Sequence, residues 1–107
     1  MDANKYTYRI FWSDEDEAFV ATCAEFPSLS HIDDAHANAL TGMVKLVASV
    51  LLDLKKSRQT IPEPLFNRNY SGVFKVRIPA EVHRSLTIQA AESNVSLNRL
   101  VSAKLAR

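Results

Sequence analysis

Cysteine is almost absent: the 107-residue chain holds one, Cys23. A single thiol excludes a disulfide framework and a Cys-rich zinc module, and makes a reducing cytoplasm the simplest setting. Two glycines and four prolines are too few for a collagenous or low-complexity chain. No apolar run nears the roughly 18–20 residues that span a bilayer, and the opening MDANKYTYR lacks the apolar stretch of a signal peptide. No membrane is therefore expected among its partners. What is present, 47% hydrophobic and 23% charged residues, is the composition of one ordinary folded domain or two very small ones.

Net charge is low as well, at +1, but it is unevenly placed. Residues 1–54 carry three bases against nine acids, a balance of −6; residues 55–107 carry ten bases against three acids, a balance of +7. An acidic half joined to a basic half suggests a basic partner for the first and a polyanion for the second.

Tyr6 to Trp12 are rich in aromatic and β-branched types, SDEDE at 13–17 is a polar turn, and Ala18 to Ala24 resumes the strand pattern. Together they predict a hairpin, with Pro27 interrupting pairing before a short third strand near Leu29 to Ile32. Leu40, Met43, Val44, Val47, Leu51 and Leu54 then form one stripe at helical spacing. The helix is expected over about 34–57, capped by Asp33 or Asp34 and closed by Lys55, Lys56 and Arg58. It can cover one face of the small sheet.

Residues 61–71, with two prolines at 62 and 64 and no period, read as a linker between a domain at 1–60 and another at 72–107. After Gly72, alternation places Phe74, Val76 and Ile78 on one strand face and Val73, Lys75 and Arg77 on the other. Pro79 ends that strand and opens a helix with Val82, Leu86 and Ala90 apolar; Asn94 ends it in a left-handed conformation, and Ser96 caps a second helix. A strand and two helices cannot bury a core alone. A dimer whose two strands pair antiparallel solves this, and its polar face presents Lys75 and Arg77 from each chain. Such a ribbon fits the DNA major groove, where Arg and Lys bond guanine. Val73, Lys75, Arg77, Ser96, Asn98 and Arg99 are the candidate DNA-binding residues, the last three at a helix start that suits a phosphate.

The segment VFKVRIPAEVHRSLTIQAAESNVSLNRLVSAKL resembles a ribbon-helix-helix DNA-binding domain of the Arc/MetJ type. The hairpin, Glu25-Phe26-Pro27-Ser28-Leu29, a short strand, an acidic cap, a long helix and Ile61-Pro62-Glu63-Pro64 resemble the HicB antitoxin family. The resemblance spans nearly the whole chain, and departs from the family where Gly-Cys commonly follows the FPxLP-like turn and this chain has Ser30-His31. It implies an α+β chain: a partial RNase H-like domain of antiparallel sheet and one long helix, then a ribbon-helix-helix domain. It also implies a type II toxin–antitoxin system in which the chain neutralises a small basic HicA-like ribonuclease toxin and represses their operon. The expected partners are that toxin, operator DNA and a second copy of the chain, with a second contact through the N-terminal domain giving a tetramer.

The candidate toxin contacts are Asp14, Glu15, Asp16, Glu17 and Glu25, although a charge run such as Asp14 to Glu17 is more often solvated surface. A stand-alone repressor that senses a small molecule or metal, through His31 and His36 with Asp33 and Asp34 between them, is the alternative. Cys23 reads as a small core residue and His83 as exposed. The acids do not fall on adjacent strand centres as two-metal nuclease chemistry requires, so neither catalysis, a bound metal nor a cofactor is expected.

Overall fold

The computed structural model describes residues 2–107, which divide into two compact units, the first ending at Tyr70 and the second beginning at Ser71. Each has its own architecture; together they make an α+β chain.

In the first unit, β1 (Tyr8–Ser13), β2 (Ala18–Cys23) and β3 (Ser30–Asp33) form an antiparallel meander in sequence order. Tyr8 lies opposite Cys23 and Ser13 opposite Ala18. The intervening turn is braced locally. The Trp12 indole N–H donates to Asp14 at 2.7 Å, and the Asp16 amide donates to the Ser13 hydroxyl at 3.2 Å. Glu17 adopts a left-handed φ of 49° to re-enter β2.

Helix α1 (His36–Lys56) covers one face of this sheet. Its buried line is Ala39, Met43, Val47 and Leu51, packed with Tyr6, Ala21, Cys23 and Phe26. The stripe expected from the sequence is thus rotated slightly toward small Ala39, and Leu40 is left 37% exposed. The cap also differs. Ala35 occupies the N-cap with no side-chain bond, while Asp33 accepts from the Ala35 amide at 3.2 Å, one residue short of the helix. At the other end Arg58 takes a left-handed φ of 55°, and the amides of Arg58 and Gln59 donate to Lys55 and Leu54 carbonyls, closing the last turn. Glycine inside a helix costs about 1 kcal/mol relative to alanine. Gly42 is accounted for by His31, whose imidazole lies where a Cβ would stand. By length and composition α1 could cross a bilayer, although charged and polar residues interrupt its apolar ones; in this fold one side of it is the core of the unit.

The stretch expected as a linker belongs in large part to the first unit. Pro64 is fully buried, and the Tyr6 hydroxyl donates to the Pro62 carbonyl at 2.6 Å. Glu25 holds the rest. One carboxylate oxygen accepts from the Thr7 amide at 3.0 Å; the other accepts from the Thr7 hydroxyl at 3.0 Å and the Leu65 amide at 2.9 Å. Burial pushes this carboxyl upward, but the Leu65 and Thr7 donors outweigh it and hold it below the usual range. The ionised form is therefore the one the fold favours. Its contribution is full above the ordinary glutamate value and is lost as pH falls through the lower folded value. Glu25→Ala should cost about 1–3 kcal/mol at neutral pH by stranding the two amides. Thermal melts should show the gap to wild type narrowing in acid; parallel pH profiles would show that the carboxylate does not hold this segment.

The second unit contains α2 (Ala80–Glu92) and α3 (Leu97–Leu105). Pro79 precedes α2, Asn94 has a φ of 55°, and the Ser96 hydroxyl accepts from the Arg99 amide at 3.1 Å. These are the breaks and caps expected from the residue types. Residues 73–78 make no strand in the single chain, because nothing in it offers them a backbone partner.

Candidate functional site

Two surfaces have the residues to recognise something, one in each unit. In the second unit the apolar side chains face outward. Val73 is 85% exposed, Phe74 73% and Val76 61%, and Ala90 is the one buried hydrophobic among its described residues. Val76 and Ile78 from the extended segment, Val82 and Leu86 from α2, and Leu97 and Val101 from α3 line an apolar groove of about 410 Å³. The groove follows from the spacing of these residues. Ile78 ends the alternating segment, Val82 and Leu86 are one turn apart on α2, and Leu97 and Val101 are one turn apart on α3. Stability of a 37-residue unit normally requires such a face to be covered.

All six residues expected to meet DNA are at the surface of this unit. Val73, Lys75 and Arg77 alternate along the extended segment with Phe74, Val76 and Ile78. Ser96, Asn98 and Arg99 gather at the start of α3, where the amides of the first turn carry partial positive charge. Ser96 is already engaged as the cap, so it fixes the turn and leaves Asn98 and Arg99 as the free polar groups there. His83 is exposed at the groove rim.

In the first unit Asp14, Glu15, Asp16 and Glu17 are all exposed in the β1–β2 turn. Glu25, expected beside them as a partner contact, is instead turned inward and bonded to Thr7 and Leu65. Sequence reasoning could not find that role, because Leu65 is 40 residues away. Counted by unit, the charge is −3 for residues 1–70 and +4 for 71–107, the same signs as the halves with smaller magnitudes.

The remaining polar groups are structural. His31 approaches Asp33 at 3.9 Å and packs on Gly42, while the His36 ring stands edge-on to Phe19. Among the described residues no group of three or more His, Cys, Asp or Glu is placed to hold a metal ion. Cys23 is buried, and burial pushes its thiol up, away from the thiolate a nucleophile needs. The Tyr8 phenol, pushed up to about 12 by burial, donates to the Ala3 carbonyl at 2.7 Å.

An acidic unit with an exposed turn and a basic unit with an uncovered apolar face are surfaces suited to binding. Residues 58–105 match the HicB family. The match covers the end of the first unit and most of the second, and leaves the three-stranded sheet and α1 outside it. No curated protein and no solved structure matches the chain.

Proposed function

We propose that the chain is a cytoplasmic antitoxin that binds and silences a small basic HicA-like ribonuclease toxin and represses the operon encoding both. The observation that carries the reading is the extended segment 73–78. Its Val76 and Ile78 line an open groove, and Lys75 and Arg77, which alternate with them, stand exposed. Pairing with the same segment of a second chain covers the groove and creates a two-stranded ribbon of the kind that enters the major groove. The N-terminal unit, a meander followed by one helix, fits a partial RNase H-like unit used for binding rather than catalysis. Its negative balance suits a toxin that must be positive to hold RNA.

Operator titrations test the DNA half. Arg77→Ala should cost roughly 1–3 kcal/mol on the matched operator and far less on random DNA, because a bidentate base contact is lost. Arg99→Ala should weaken both alike and reduce the salt slope by about one, as expected for a phosphate contact. Equal losses on both DNAs for Arg77→Ala would make it a positioning residue and remove it from the reading surface.

A further inference from the structure

Helix α1 covers one face of the three-stranded sheet and leaves the other open. On that open face Phe11, Val20 and Ile32 stand opposite one another across the three strands. Phe11 is 40% exposed and Ile32 51%. The next rank points to the other face: Trp12, 50% exposed, meets Phe19 edge-on at 5.2 Å, and Phe19 meets His36 of α1. Phe11 and Ile32 are not used by the core. They lie at the hairpin end of the sheet, where the turn supplies Asp14, Glu15, Asp16 and Glu17 and the end of β3 brings Asp33 and Asp34. Six of the ten carboxylates in residues 1–70 are therefore at one end. The base on the open face of β1, Arg9, sits 5.6 Å over the Phe11 ring.

An exposed apolar row on a soluble sheet marks a contact surface, and β1 is an edge strand with backbone groups free on its outer side. Charge decides the occupant. Two copies meeting here would set two acidic rims against each other, a like-charge arrangement that disfavours self-association. A basic partner meets complementary charge around an apolar centre, the usual anatomy of an interface. We propose that the hairpin end of this sheet, with Phe11, Val20 and Ile32 at its centre and the six carboxylates as its rim, is the surface that docks the basic toxin. The inference rests on the antitoxin reading and adds where the toxin sits. The carboxylates set the speed of capture, and the apolar row sets the lifetime.

The test uses the full chain and the HicA-like toxin encoded beside it, with association and dissociation rates measured separately. In Phe11→Thr/Ile32→Thr, threonine keeps strand propensity while the apolar row is removed. Dissociation should become about 30-fold faster or more, with association little changed. In Asp14→Asn/Glu15→Gln/Asp16→Asn/Glu17→Gln, association should slow by about tenfold or more at low salt, and the difference should fade at high salt. Thermal melts and operator binding identical to wild type establish that both variants are folded. Wild-type rates in the folded Phe11→Thr/Ile32→Thr variant overturn the proposal while leaving the antitoxin reading intact. So does an effect confined to self-association, which would make the surface an interface between copies. Failure of the wild-type chain to bind the toxin overturns both.

Discussion

Ile78→Asp is expected, if two chains pair through residues 73–78 as proposed, to leave a monomer and to abolish operator binding. Ile78 lines the open groove with Val76, Val82, Leu86, Leu97 and Val101, and is 42% exposed in the single chain. In the dimer that remaining surface is covered, so the variant must bury an ionised carboxylate without a partner or leave the two chains apart. Desolvating an unpaired charge costs several kcal/mol even after local relaxation, which makes the expected loss of dimer affinity of order 100-fold or more. Operator affinity falls further, because the ribbon exists only when two segments pair. Sedimentation gives the first quantity and titration of operator DNA the second. A variant that remained dimeric with wild-type DNA affinity would place the dimer contact elsewhere. The same argument makes a fragment of residues 71–107 a folded dimer; a folded monomer would refute it.

The second large effect concerns inhibition. Residues 1–70, expressed with the toxin, should restore growth without the DNA-binding unit. This unit has its own core around Met43 and Val47 and carries the acidic turn, and occluding the toxin's RNA-binding surface needs no chemistry. The fragment must extend through the segment after α1. A chain cut at residue 60 lacks the Pro62 carbonyl that Tyr6 uses, the buried Pro64 and the Leu65 amide that Glu25 uses. It should be soluble at lower yield and melt at lower temperature than 1–70. Continued growth arrest with folded 1–70 present would assign neutralisation to residues 71–107 or to the assembled oligomer.

The elements legible in the sequence are those specified by near neighbours. Alternation across Tyr8–Ser13 and Ala18–Cys23, the acidic turn between them, Met43, Val47 and Leu51 at four-residue spacing, and Asn94 and Ser96 as helix stop and start all act within a few residues. Asp33 and Asp34 misled because capping preference does not say which residue sits one step before the helix; the chain leaves β3 so that Ala35 does. The anchoring of 61–65 was hidden for a different reason. Prolines and the absence of a period signal irregular backbone, but not whether its polar groups bond to water or to a carboxylate 40 residues earlier. The open-face row was written in the alternation of β1, yet its exposure depends on α1 covering the other side, which is a tertiary fact.

The uncovered face of the second unit makes the two halves obey different laws of dilution. Folding of residues 1–70 is unimolecular, since their core is complete within one chain. The second unit buries one hydrophobic residue by itself, so on the dimer reading its order grows with the concentration of chains. On the proposed function, scarcity of the protein would dissolve the ribbon first and open the operon, while each remaining chain would still carry an intact acidic unit. Repression would then be a measure of how much of the chain is present, and inhibition would not.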